Sequence, residues 1–366
     1  MAVGKDDSSM RSLHKCRFAI LLSIGVLWLS ACQKQKTVDH SDPFQDTHFK
    51  LVRTYQLPDT SLSAYVFDGV FDRAGDLYIT DRYARRIKRV NRDFTQVTPI
   101  GHQGMGPGEY ILPIHLWIAN RQLFYSDRTT FIKSRPLQEE QDISGENLTI
   151  PVTRGASKFL VRDSLLVMLG AHSPYLTSYI LGQNNKREKF KTGLTVPEFY
   201  DVVNRKILES GGLALGADGT MYVSLGTPYR IFVYGGSMQL LHTFDCEKYP
   251  GVIPWTKSKQ TELGHLSSRE EITNSLYSFT RVQSLHVITG KHRQYLLAEL
   301  SDPGVGHRTV HLLSSGGAFI QSYQTTARIL ATRANRLYLT ERPNAENDST
   351  GAAIGVTHIR EYQFRD

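Results

Sequence analysis

Residues 70–113 read VFDRAGDLYITDRYARRIKRVNRDFTQVTPIGHQGMGPGEYILP. Short runs rich in Tyr, Val, Ile and Thr alternate with tight polar turns, the composition of pleated, half-buried strands. The spacing predicts four strands here: Ala64–Phe71, Leu77–Asp81, Arg86–Asn91 and Gln96–Ile100. Arg73-Ala-Gly-Asp76 supplies the glycine that a hairpin turn requires.

The centre of this stretch recurs along the chain. After Leu77-Tyr-Ile-Thr-Asp81 come Leu123-Phe-Tyr-Ser-Asp127, Leu165-Leu-Val-Met168, Met221-Tyr-Val-Ser224, Tyr295-Leu-Leu297 and Leu337-Tyr-Leu-Thr340, making six copies. A long repeat with several strands per unit predicts an all-β fold, a six-bladed β-propeller. The two longest spacers each contain a helix signal. Thr195-Val-Pro-Glu198 and Ser268-Arg-Glu-Glu271 are capping boxes, followed by apolar residues at helical spacing. They predict two short helical insertions, over 196–210 and 268–282, with Gly211-Gly212 ending the first. In antiparallel blades, blade-to-blade connections share a face with the loops between second and third strands, so both helices crowd one face. Phe49–Leu57 and Thr357–Phe364 are expected to pair and close the ring, which removes exposed edges.

Gly104-Met-Gly-Pro-Gly-Glu-Tyr110, beyond the Leu-Tyr-Ile-x-Asp strand, resembles the G-x-G-P-G-E-F connection of NHL-type propellers. From about residue 49 to the end, the chain is similar to the bacterial lipoproteins known as six-bladed β-propellers, NHL-like or TolB-like. The resemblance implies a fold and a cell-envelope location, and no single activity. A dinucleotide-binding reading of Gly101–Gly108 is rejected, because Pro107 and the following Tyr-Ile-Leu-Pro oppose the helix that such a loop needs.

The N-terminus supports the same address. Residues 1–17 are polar and basic, and Phe18–Leu29 is apolar. As a helix this run would span about 18 Å, short of the roughly 30 Å hydrocarbon core, so it reads as a signal-peptide segment. Leu29-Ser-Ala-Cys32 resembles the lipobox, in which the cysteine is lipidated and becomes the new N-terminus. The expected organisation is a signal peptide at 1–31, a flexible tether at 32–48 and the propeller at 49–366. The partner is then a membrane, through a lipid anchor on Cys32. Gln33 is not the aspartate that retains many such lipoproteins in the inner membrane, so the outer membrane is favoured. Of the three cysteines, Cys16, Cys32 and Cys246, only the last remains as a free thiol, and no internal disulfide is expected.

A net charge of +8 on 366 residues is spread out and forms no dense basic stripe, which argues against a nucleic-acid partner. A monomer is expected. Arg82, Arg85, Arg86, Lys88, Arg89 and Arg92 read as a solvated outer strand that discourages edge pairing, or as a patch for anionic headgroups. Asp81 and Asp127 end equivalent strands and read as caps of the next turn.

The inner strands offer Asp68, His115, Lys158, His286 and Arg328 to the channel. A hard cation wants several converging carboxylates, so no metal and no other cofactor is expected. On the helix-bearing face, Tyr83, His102, Tyr110, His172, Tyr175, Tyr229, Arg230 and Trp255 form the candidate ligand-binding set. Tyr and Trp favour recognition surfaces, and packing beneath the helices explains them equally well. The expected function is a binding module for a small ligand or an envelope protein, without catalysis. The alternatives are a hydrolase or lyase of lactonase type, using Asp68, His115 and His286 at the channel mouth, and a purely structural surface protein.

Overall fold

The computed structural model describes residues 42, 44, 46–57, 66–82, 84–106, 109–128, 130–137, 148–152, 156–170, 176–181, 187–190, 211–276, 278–301, 308–340 and 357–366. Among them, the strands form six four-stranded antiparallel sheets. Blade 1 is β2 (Val66–Phe71), β3 (Leu77–Asp81), β4 (Arg86–Val90) and β5 (Val97–Ile100). Blade 2 is β6 (Pro113–Ala119), β7 (Gln122–Asp127), β8 (Phe131–Pro136) and β9 (Thr149–Pro151). Blade 3 is β10 (Ala156–Arg162), β11 (Leu165–Gly170), β12 (Leu176–Leu181) and β13 (Arg187–Phe190). Blade 4 is β14 (Gly212–Leu215), β15 (Met221–Ser224), β16 (Arg230–Tyr234) and β17 (Leu240–Asp245). Blade 5 is β18 (Arg281–Thr289), β19 (Gln294–Ser301), β20 (Arg308–Ser314) and β21 (Phe319–Thr325). Blade 6 is β22 (Arg328–Arg333), β23 (Arg336–Thr340), β24 (His358–Phe364) and β1 (Phe49–Gln56). The protein is a six-bladed β-propeller, and all six recurring segments are second strands.

The ring closes as expected. β1 pairs with β24 over Phe49↔Phe364 to Gln56↔His358, so the first and last strands share one blade. The closure reaches further upstream than the sequence suggested. Phe44 is fully buried and stacks on Tyr323 at 4.8 Å, and Asp46 accepts hydrogen bonds from the His48 and Phe49 N–H groups. The stretch expected to end a flexible tether at His48 is therefore part of the propeller from Phe44 onward.

The core is distributed as six apolar clusters, each built by two neighbouring blades. This explains why second strands are apolar at consecutive positions. Leu77 and Ile79 face blade 6, whereas Tyr78 between them faces blade 2. A sheet covered on both faces has no solvent side to mark with polar residues.

Helices α1 (Lys257–His265) and α2 (Arg269–Leu276) lie in the connection from blade 4 to blade 5. The capping box of α2 forms as read: the Glu271 N–H donates to Ser268 Oγ at 3.1 Å and the Ser268 N–H to Glu271 Oε2 at 3.3 Å. Helix α1, Lys-Ser-Lys-Gln-Thr-Glu-Leu-Gly-His, was not foreseen because it is polar all round and carries no apolar stripe. The helix expected over 196–210 lies outside the described residues. Gly212 has a packing role besides: a Cβ there would lie 2.5 Å from the Leu285 backbone nitrogen of the next inner strand.

The basic run needs correction. β4 is the third strand of its blade, not the outer one, and Lys88 is only 2% exposed, with its Nζ 3.2 Å from Asp81 Oδ2. Arg89 pairs with Asp76 through Nε at 2.7 Å.

Candidate ligand site in the central channel

The inner strands β2, β6, β10, β14, β18 and β22 surround a cavity of about 440 Å³. Asp68, His115, Lys158, Ser284 and His286 line it, among apolar neighbours that include Trp117, Phe159 and Leu285. A local irregularity shapes these strands. Register shifts fall at Val66/Asp68, Pro113/Leu116, Ala156/Lys158, Val282/Ser284 and Ile329/Ala331, near the start of five inner strands. Such a bulge bends the strand and re-aims the side chains after it.

One half of the polar lining comes from blades 1 and 2. Asp68 Oδ2 is 3.3 Å from His115 Nδ1 and accepts the Leu116 N–H at 2.9 Å, while Oδ1 takes the Gly69 N–H at 3.0 Å. Burial alone would raise the Asp68 carboxyl. The hydrogen bond from His115, the charges of His115 and Lys158, and the Leu116 N–H outweigh it and hold the group below its ordinary value. His115 is pushed down by burial and by the Lys158 charge, against the pull of Asp68.

The other half comes from blade 5. Glu299 Oε2 accepts the Ser284 hydroxyl at 2.7 Å, and its Oε1 lies 2.8 Å from Arg308 Nη1. His286 Nε2 is 2.9 Å from Ser284 Oγ. Burial works against the Glu299 charge, yet Arg308, Arg328, Ser284 and His286 keep its carboxyl below the usual range. Burial takes His286 down to about 4, opposed by Glu299 and assisted by Lys158. Arg328 stands over the Phe67 ring at 4.1 Å and Arg82 at 5.2 Å, with the His115 ring 5.4 Å from the same phenyl.

Of the two strand-ending aspartates, Asp81 acts as read, its Oδ1 accepting the Ala84 N–H in the turn that follows, whereas Asp127 Oδ1 accepts the N–H groups of Ile111 and Leu112, upstream in the connection that enters its blade. Each also holds a buried lysine, Lys88 or Lys133.

The candidate set on the helix-bearing face divides. Tyr110 is fully buried, donates to the Ile100 carbonyl at 2.7 Å and accepts from the Ile87 N–H. Tyr229 is 1% exposed and packs between blades 4 and 5; Trp255 is 5% exposed and lies 4.6 Å from the Phe279 ring. These three are core residues, and the packing alternative describes them. His102 is largely exposed and pairs with Glu109, whose carboxylate folds back over Gly104 and Gly106 in the blade 1–2 connection. Arg230 pairs with Asp245 at 3.7 Å. Tyr83, His172, Tyr175 and Cys32 lie outside the described residues.

Sequence reasoning named Asp68, His115, Lys158, His286 and Arg328 but missed Ser284, Glu299 and Arg308. Ser284 carried one available signal, since its alternation with His286 places both on one face of β18. Glu299 carried none, because it interrupts an apolar second strand. Among the described residues, no group of three or more His, Cys, Asp or Glu side chains is arranged to hold a metal ion.

No family model matches the chain, and no curated protein matches it. Solved structures do. An exported protein from Bacteroides fragilis superposes with a TM-score of 0.56 at 12% identity, covering 89% of this chain and 98% of its own. A member of the DUF4221 family from Bacteroides vulgatus gives 0.55 at 12% identity, covering 87% and 98%. The likeness is one of fold. The fold and the cavity define the class: a six-bladed β-propeller with a polar, histidine-bearing central channel.

Proposed function

We propose that this protein is a cell-envelope binding propeller, held to a membrane through a lipid on Cys32, that takes a small polar ligand in its central channel. One observation carries the reading. All six inner strands line one cavity, and polar groups from blades 1, 2, 3 and 5 converge on it. Its size suits small-molecule recognition, with apolar walls and a few placed polar groups. The helix-bearing face is the weaker site, since Tyr110, Tyr229 and Trp255 are buried. The envelope address rests on Phe18–Leu29 and Leu29-Ser-Ala-Cys32.

The test is a thermal-shift screen of small polar compounds against the lipid-free propeller and a Thr332→Phe variant, whose new ring fills the channel. The expected result is a compound that raises the Tm of the wild type and not of the variant. Failure of every compound to shift the wild type, or equal shifts in both proteins, would overturn the reading.

A second reading, hydrolysis or elimination at the same place, is favoured by the two imidazoles, His115 beside Asp68 and His286 joined to Glu299 through the Ser284 hydroxyl. Proton transfer is most effective when the base titrates near the working pH, and His286 at about 4 lies well below it. That mismatch ranks binding first. Turnover of an ester or lactone, abolished by His286→Ala, would reverse the order.

A further inference from the structure

The cavity is placed unevenly along the channel. Each inner strand begins where a blade-to-blade connection delivers it and ends at the turn into its second strand, so its two ends mark the two faces of the ring. The helices α1 and α2 lead into Arg281, the first residue of β18, which puts them at the starting face. There the cavity begins only at the third residue of three strands: Asp68, His115 and Lys158. The residues one place earlier, Phe67 and Ile114, are buried, as are Val282 and Ile329 at the same place in blades 5 and 6, and none of these four lines it.

Phe67 closes that end. Its ring touches three inner strands, with Arg328 of blade 6 at 4.1 Å and the His115 ring of blade 2 at 5.4 Å, while Arg82 from the β3–β4 loop lies at 5.2 Å. It is 6% exposed, yet among the described residues it belongs to none of the six apolar clusters between blades. A buried phenyl outside the blade interfaces, in contact with neighbouring inner strands, lies across the start of the channel.

At the other face the cavity runs to the strand ends. Thr332 near the end of β22, Thr289 at the end of β18 and Ala217 in the turn after β14 line it, and Ala217 and Thr289 are exposed. The turns from inner to second strands on this face are two to five residues long. Chain this short stays beside its own blade and leaves the axis uncovered.

We infer that a channel ligand enters and leaves through the short-turn face, at a mouth rimmed by Ala217, Thr289 and Thr332, and that Phe67 shuts the channel at the helix-bearing face. The inference rests on the channel-binding reading and adds the route to it. The rim side chains are small and uncharged, so width limits passage, and a small molecule suits the roughly 440 Å³ behind them. The helix-bearing face, where the sequence placed recognition, is then the back of the site.

The route can be read without knowing the ligand. In the lipid-free propeller, His286→Cys places a thiol on the cavity wall, and Val287→Cys supplies a second position. Cys246 is fully buried, so unsubstituted protein is the blank. A small methanethiosulfonate reagent is expected to label either new thiol. Adding Ala217→Trp and Thr289→Trp is expected to slow labelling about tenfold or more, each factor of ten being about 1.4 kcal/mol of barrier. Adding Phe67→Ala to the blocked protein is expected to restore the rate by opening the other end. A cooperative thermal transition confirms the fold of each variant. Labelling within about twofold of the starting rate after the rim tryptophans are added would overturn the route, and so would the absence of labelling at both positions. No recovery with Phe67→Ala would overturn its role as the closure. These rates involve no ligand, so channel binding itself stands or falls separately, on the thermal-shift screen.

Discussion

Lys88 Nζ lies 3.2 Å from Asp81 Oδ2 with both side chains withdrawn from water, and Lys133 repeats the relationship with Asp127 at 2.9 Å one blade later. In each pair the aspartate ends the second strand and also accepts backbone N–H groups of a loop, Ala84 in the turn after Asp81, and Ile111 and Leu112 in the connection that enters the blade of Asp127. The lysine comes from the third strand, so each pair ties two strands to a loop beside them. Removing one member of a buried pair leaves the other charge buried without it, at a cost of about 3–5 kcal/mol. Asp81→Ala and Asp127→Ala should each lower stability by that order in chemical denaturation. Asp93→Ala, which breaks an exposed pair with Arg92, should change it by less than about 0.5 kcal/mol.

Phe44 gives a second test, because the sequence assigned it to a tether. It is fully buried against Phe49, Tyr323 and Tyr362. Phe44→Ala should cost about 3–5 kcal/mol, the range for an excised core aromatic. A change within about 0.5 kcal/mol would mean that this residue does not pack on the closing blade.

At Gly212, an added Cβ would meet the backbone nitrogen of Leu285, which is not free to swing aside. Gly212→Ala should destabilise by about 1–3 kcal/mol through overpacking between blades 4 and 5. Equal midpoints for variant and wild type in urea would contradict that close approach.

Stability should fall on acidification, and the histidines set where the fall begins. His286 and His311 are pushed by burial to about 4, and His115 is also lowered. In the unfolded chain an imidazole takes up its proton near about 6.5. Between those values the unfolded state binds more protons, so stability drops as pH falls from about 6.5 toward 4. Asp68 and Glu299, held low in the fold, contribute above the ordinary carboxylate range and lose that contribution at still lower pH. His311 is fully buried among the rings of Tyr229, Tyr249 and Phe319. Its share is at most about 3 kcal/mol. A Tm series from pH 7 to 4 should slope downward, less steeply in His311→Phe. Identical slopes would exclude His311 as a contributor.

Cys246 is fully buried, and burial pushes its thiol up to about 12. The thiolate is the reactive form, so native protein should resist thiol reagents and react fully in denaturant. Rapid labelling of the folded chain would show that the site opens.

Much of the architecture was legible because it is encoded locally. Leu77-Tyr-Ile-Thr-Asp81 and its copies are second strands, buried on both faces between blades, and apolarity at consecutive positions records that burial. Ser268 and Glu271 cap α2 through atoms three residues apart, and Asp81 caps a turn three residues on. Such contacts depend on spacing alone. Burial of Lys88, Tyr110 and Tyr229 was not legible, since whether a polar or aromatic side chain meets solvent depends on what the neighbouring blade places over it.

The channel belongs to the same division. Alternation along single strands put Asp68, His115, Lys158 and His286 among the candidates, but their partnership was decided by closure of the ring, which brings together residues remote in sequence. Glu299 entered the site from an apolar strand through Ser284, and the bulges at the start of five inner strands shift register by a residue. In a strand with a side-chain period of two, one extra residue moves every later side chain to the other face. The sequence by itself determined six strand repeats and a ring closed by its two ends. Tertiary structure decided which polar groups meet in the channel, because that depends on contacts between blades that no local spacing records.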